Sequence, residues 1–148
     1  MADLLLLYLE GPLQAWGTSS RWDVRGTDDE PSKSGVVGLL GCALGYRAGD
    51  PRLVQLSRSL RMGVRIDRPG MRLIDYHTTM GVIRNADGRL AGTEDDPYTI
   101  VSLRSYLADA AFLVAFEGPP DLLKTCAEAL QNPKWPLYLG RKACVPSR

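Results

Sequence analysis

A single histidine, His77, and three cysteines, Cys42, Cys126 and Cys144, are all that this chain of 148 residues offers for soft-metal or thiol chemistry. One histidine excludes a multi-histidine metal site within the chain. An odd number of widely spaced cysteines with no C-x-x-C argues against a disulfide framework or a zinc site and fits a reducing cytosol. Equally absent are G-x-x-x-x-G-K-[ST], a G-x-G-x-x-G after a strand, and G-x-S-x-G, the signatures of a phosphate loop, a dinucleotide fold and a nucleophile elbow. The opening apolar run, Leu4–Leu9, is only six residues long and sits between Asp3 and Glu10. That is too short for a membrane span or a signal peptide. No repeat, linker or low-complexity tract breaks the chain. The expectation is one cytoplasmic domain without cofactor, metal, membrane or small-molecule substrate.

What is present is an ordinary globular composition, 45% apolar and 24% charged, long enough to bury a core. The net charge of +1 conceals a preference for arginine, fourteen against four lysines. Arginine offers a planar fork suited to phosphate and to stacking on bases. Seven arginines fall between Arg47 and Arg72, against two acids, Asp50 and Asp67. The other acids gather in Asp28–Glu30 and Glu94–Asp96, where they read as solvated loop carboxylates. Such a segregated field fits a polyanionic partner or a solvated charged face.

The chain is organised around Pro31–Gly45, PSKSGVVGLLGCALG. Ser32 or Ser34 can cap a helix that is apolar on nearly every face and therefore buried. Gly35, Gly38, Gly41 and Gly45 fall three to four apart along one stripe, each costing about 1 kcal/mol relative to alanine. The stripe reads either as close approach of another backbone, protein or nucleic acid, or as a tightly packed core helix. Lys33 and Ser34 lie at the helix start, where free N–H groups and the dipole favour phosphate.

Leu4–Leu9 reads as a central, fully buried strand, ended by Gly11-Pro12. A polar loop containing Arg21, Trp22 and Arg25 then runs from Gln14 to Glu30, functional or disordered by its length. Asp50-Pro51 starts a second helix through about Ser59. Leu60–Asp67 alternates strictly, a half-buried strand with Arg61 and Arg65 on its open face. Residues 71–107 read as a protruding β-hairpin: Met71–Val82 and Thr99–Leu107 extended, joined by a polar tip with a turn at Asp87-Gly88. Asp109–Phe116 is a further strand, Asp121 caps a helix Leu122–Gln131, and Trp135–Leu139 is the expected last strand. Strand, helix, strand, hairpin insertion, strand, helix, strand is the split βαβ order of an α+β ferredoxin-like, RRM-type domain.

Tyr138 beside Gly140-Arg141-Lys142 offers a stacking ring next to a bend and two cations, a combination used to grip single-stranded RNA; the other reading is a strand-edge core residue. Metal-free RNA cleavage is the competing enzymatic reading, with His77 and Tyr46, Lys33 or Arg104 as acid–base and charge-stabilising groups. Cys42, inside the apolar helix, reads as inert.

The motifs Gly11–Gly17 (GPLQAWG), Pro31–Gly45, Asp75–Thr78 (DYHT), Ser102–Leu107 (SLRSYL) and Tyr138–Cys144 (YLGRKAC), taken in order, resemble the Cas-five family subunit of the type I-E CRISPR surveillance complex, Cascade. The likeness runs from Leu4 to the last residue. It implies an RRM-like domain whose inserted hairpin is a thumb, and a non-catalytic role capping the 5′ handle of the CRISPR RNA beside the backbone and large subunits. It further implies that Arg104 and Tyr138 grip a handle base, and that Lys33, Ser34, Arg141 and Lys142 hold phosphates. Arg61 and His77 complete the expected RNA-binding set. The thumb tip is expected to be disordered until it inserts. Members of the family usually continue past the YLGRKAC motif, which implies a C-terminally truncated chain, and the type I-C relative is itself a repeat-processing endoribonuclease.

Overall fold

In a computed structural model the chain forms β1 (Leu4–Glu10), β2 (Leu13–Gln14), β3 (Val24–Arg25), α1 (Lys33–Leu44), α2 (Pro51–Ser59), β4 (Arg61–Arg68), β5 (Met71–Gly81), β6 (Ile83–Arg84), β7 (Leu90–Ala91), β8 (Tyr98–Ala108), β9 (Ala111–Glu117) and α3 (Pro120–Gln131). The structure describes residues 3–17, 20–21 and 23–147, so Trp22 of the polar loop lies outside the described residues. The architecture is mixed α+β.

Side-chain alternation builds the first sheet, ordered β1–β9–β4 with central β9 antiparallel to both neighbours. Leu7, Leu9, Phe112, Val114 and Phe116 point inward onto the helices and are buried. On β1 the opposite face is wet: Leu4, Leu6 and Tyr8 are 57%, 57% and 53% exposed. The expected central, doubly buried strand is therefore an edge strand with one open face. A run of leucines hides its own period, because the exposed positions are as apolar as the buried ones.

Ser32 caps α1, its hydroxyl accepting from the Gly35 N–H at 3.3 Å. Gly45 ends the helix at φ 77°, with its N–H on the Cys42 carbonyl and the Tyr46 N–H on the Gly41 carbonyl, a left-handed cap that favours glycine. The helix is buried on most of its surface, with Val36 and Leu40 inaccessible, and packs against α2 and α3. Its glycines divide by role. Gly35 lies against the Trp16 ring, Gly41 lies beneath Leu53 of α2, and Gly38 faces open space.

The second sheet is the long hairpin. β5 and β8 pair rung for rung from Met71↔Ala108 to Gly81↔Tyr98, a ribbon about 35 Å long at the usual rise per residue. β8 is braced on its other edge by β2 and, in parallel, by β3, so the polar loop after Gln14 is partly drawn into the sheet. Beyond the ribbon, β6 and β7 pair at Ile83↔Ala91 and Arg84↔Leu90, with Gly88 at φ 84° in the turn.

Two local expectations are corrected. Asp121 is not the cap of α3: the helix starts at Pro120, after Pro119, with no side-chain cap bond, and Asp121 sits in the first turn, where its charge suits the dipole. Trp135–Leu139 is not a strand. The segment is irregular, held by the Ala15 N–H on the Leu139 carbonyl and the Leu139 N–H on the Cys144 carbonyl. Pro133 and Pro136 lack the N–H that a ladder needs.

Candidate nucleic-acid interface

A buried amide ties the elements of the site together. Gln14 is inaccessible; its Nε2 donates to the Leu9 and Ala110 carbonyls at 3.2 and 2.8 Å, and its Oε1 accepts from the Trp16 indole N–H at 2.9 Å. The Trp16 backbone N–H donates to Thr27 Oγ1 at 2.8 Å, and the Asp28 N–H donates to the Trp16 carbonyl. The GPLQAWG segment thereby joins the end of β1, the 24–28 loop, the start of α1 and the 139–144 turn. That turn needs Gly140, at φ 87°, because a Cβ there would collide with the Ala15 carbonyl. Sequence reading missed Gln14 and Thr27 as organisers; the signal available was a glutamine and a tryptophan among small residues directly after a strand.

Around this strap lies a polar cavity of about 270 Å³ lined by Gly17, Arg25, Ser32, Ser34, Gly140 and Arg141 among others. Arg25 and Arg104 are lateral neighbours on the parallel β3–β8 pair. Arg141 reaches the same place from the turn. Its guanidinium donates to the carbonyls of Ser105, Arg25 and Gly26, each at 2.9 Å, and lies 4.8 Å from the centroid of the Tyr106 ring. Among the described residues no carboxylate forms an ion pair with Arg25, Arg104 or Arg141. Side-by-side like charges on a sheet are unfavourable, and Arg25 and Arg141, which share the cavity with Ser32 and Ser34 at the start of α1, make a field for an anion.

The arginine-rich stretch from Arg47 to Arg72 behaves differently. Arg52 pairs with Asp50, Arg61 with Glu117, Arg65 with Asp67, Arg68 with Glu10 and Asp109, and Arg72 with Asp29. Five of the seven arginines are thus paired, three of them with acids that strand pairing and the 24–30 loop bring from elsewhere, while Arg47 and Arg58 have no ion pair among the described residues. Arg65 and Arg52 also hold the Asp67 and Asp50 carboxyls below the usual carboxylate range through their hydrogen bonds.

The residues expected to bind RNA are distributed over several surfaces. Ser34 and Arg141 share the polar cavity. Lys33 lines a neighbouring depression with Asp28 and Glu30. Arg104 and His77 lie on one face of the hairpin, opposite Asp75 and Ser102 respectively; Arg104 donates to Ser102 Oγ, and His77 Nδ1 lies 3.3 Å from Asp75 Oδ2. Tyr138 and Lys142 line a separate apolar groove with Tyr46 and Trp135. Arg61 stands at the far end of β4 against Glu117, away from these cavities. Cys42 lines the groove with its thiol pushed up by burial, partly offset by the Lys142 charge, and no described group of His, Cys, Asp and Glu is clustered to hold a metal. Of the groups weighed for RNA cleavage, Lys33 and Tyr46 line different cavities.

An α+β protein with a long β-hairpin and an unneutralised arginine cluster at the hairpin base is the class that fold and site define. Residues 4–148 match the family described as CRISPR-associated protein (Cas_Cas5). The chain is 37% identical to the CRISPR system Cascade subunit CasD of Escherichia coli K12, covering 97% of this chain and 67% of that protein. Its structure matches a chain of a CRISPR RNA-guided surveillance complex with a TM-score of 0.85 at 44% identity, and a Cas protein crystal structure with a TM-score of 0.71 at 45% identity. Both matches cover 98% of this chain and 60% of the solved one. The chain belongs to the Cas5 family of CRISPR-associated proteins.

Proposed function

We propose that this chain is a non-catalytic RNA-binding subunit of a CRISPR RNA-guided surveillance complex of the Cascade type, and that it caps the 5′ handle of the CRISPR RNA. The observation that carries the reading is the meeting of Arg25 and Arg141, unpaired with acids, beside the first turn of α1, with Arg104 next to Arg25 on the sheet. Three separated segments of the chain meet there. Kinship with a Cascade subunit makes RNA the fitting polyanion.

In this reading the chain is one ferredoxin-like, RRM-type domain. The sheet order β1–β9–β4, with antiparallel β9 between two mutually parallel strands, supports the split βαβ arrangement. The β5–β8 ribbon is a thumb that contacts the backbone subunit, and the large subunit lies at the same end of the assembly. Ser34, Arg141 and the first-turn N–H groups of α1 serve phosphates, Lys142 and Lys33 flank them, and Arg104 and Tyr138 hold a base. His77 acts as a contact on the thumb face, not as an acid–base group.

The test mixes the chain with labelled repeat RNA carrying the 5′ handle, or a scrambled control, in EDTA, and reads anisotropy and a denaturing gel together. Selective binding of intact RNA, weakened as salt releases counterions and weakened about tenfold by Tyr138→Ala, is the expected result. Cleaved RNA, with cleavage lost in His77→Ala, would make the chain a metal-independent endoribonuclease instead.

A further inference from the structure

One cavity has no part in the arginine cluster. Between α1, the start of α2 and the irregular 135–145 segment lies a groove of about 730 Å³, within the size range of small-ligand sites. Three aromatic residues line it, Tyr46, Trp135 and Tyr138, over a floor that includes Gly38, Leu53 and Leu137. Its charged lining residues are Arg47 and Lys142, and no acid lines it. Arg47, like Arg58 and unlike the other arginines of residues 47–72, has no ion pair among the described residues.

Two features show that the groove is pre-built. Tyr46 is held by the Arg52 guanidinium, 4.0 Å from its ring centroid, and Arg52 is itself fixed by Asp50 through bonds of 2.6–3.2 Å. Gly38 supplies the second. Gly35, Gly41 and Gly45 each have a neighbour that a larger residue would disturb, but a Cβ at Gly38 would meet nothing within 4 Å. A mid-helix glycine weakens its helix, and packing inside this chain gives no reason for one. What it does is keep the floor of the groove open.

We infer that this groove takes an unstacked nucleobase of the bound RNA, a second nucleotide next to the base assigned to Arg104 and Tyr138 and sharing Tyr138 with it, inserted against Trp135 and Tyr46 with its phosphates on Lys142 and Arg47. The inference rests on the RNA-binding reading above. Aromatic planes with a cationic rim are the chemistry by which single-stranded RNA is held. An apolar peptide would need the planes but not the cations, so the charge complementarity favours RNA.

The experiment compares wild type, Gly38→Leu and Trp135→Ala by anisotropy on handle RNA, with 2-aminopurine placed at successive handle positions, and records each variant's thermal midpoint. Gly38→Leu should keep or raise the midpoint, since leucine is the better helix former, while weakening RNA binding about tenfold. One 2-aminopurine position should be quenched in the wild type and recover in Trp135→Ala. Wild-type binding with both variants unchanged would overturn this inference alone, and an effect of both variants only on association with other protein subunits would reassign the groove to a peptide. No binding by the wild type would overturn the parent reading and this one together.

Discussion

The indole N–H of Trp16 donates to the side-chain oxygen of Gln14 across 2.9 Å in a region from which water is excluded at both residues. The same glutamine uses its amide N–H groups on carbonyls of Leu9 and Ala110. One polar side chain therefore locks the entry to β9, the end of β1 and the ring against which Gly35 of α1 packs. A satisfied buried network of this kind fixes geometry, and breaking it orphans every member.

Gln14→Leu is accordingly expected to destabilise the fold by about 3 kcal/mol, since each unsatisfied buried group costs about 1–3 kcal/mol. Trp16→Phe, which strands only the glutamine oxygen, should cost less. The check is the urea midpoint at unchanged m-value; equal stability of Gln14→Leu and wild type would remove the network from the account.

Much of the architecture was legible because it rests on local chemistry. Asp50-Pro51 opens α2 through an Asp50 side chain that accepts from the Arg52 N–H, and the alternation from Arg61 onward is β4. Three things were not legible. Leu4–Leu9 shows no period in the sequence, so its edge position depends on β9 alone being its partner. The pairing of Arg61, Arg68 and Arg72 was not visible in the sequence, because their acids, Glu117, Glu10, Asp109 and Asp29, arrive through tertiary pairing. The site suffers in the same way. Arg25 and Arg104 are 79 residues apart in sequence and become neighbours only through a two-residue parallel bridge.

The buried thiols give a pH dependence with a definite sign. Burial pushes the Cys126 and Cys144 thiols up, so the fold prefers the protonated form. The stability this contributes is fully present below the unfolded value of about 8.5 and is lost as pH rises through the folded values. Thermal midpoints should fall above that point, less steeply in Cys126→Ala, and the Cys126 and Cys144 thiols should resist alkylation at neutral pH. Rapid alkylation of either in the folded protein at neutral pH would contradict the burial argument.

The hairpin should be dynamic at one end only. Near its base, β8 carries partners on both edges, β5 on one side and β2 or β3 on the other. Past Gly81 the tip retains two rungs and a turn with the Gly88 N–H on the Asn85 carbonyl. Amide exchange is expected to be fast across 85–96 and slow at Tyr106–Ala108, with tip protection appearing only when RNA and partner subunits are added. Strong protection of the tip in the free protein would contradict this.

Arg141 acts as a strut as well as a cation. Its fork spans three carbonyls from two segments, a geometry lysine cannot copy. Arg141→Lys keeps the charge, so it should lower stability by about 1–3 kcal/mol and weaken RNA binding without changing the salt slope. A variant as stable as wild type would show that the three bonds contribute nothing.

Arg104→Gln separates function from folding at the same place. Arg104 lies between Arg25 on β3 and Asp75 on β5, so the repulsion and the attraction its charge meets across the two strand pairs, each worth a few tenths of a kcal/mol, offset one another. The folded protein should keep its thermal midpoint. RNA affinity should fall, and the slope of log affinity against log salt should lose about one, the share of one phosphate contact. A residue kept for folding gives the opposite pattern, a lower midpoint with an unchanged slope. The two measurements together therefore decide whether Arg104 belongs to a binding surface or to the support of the fold.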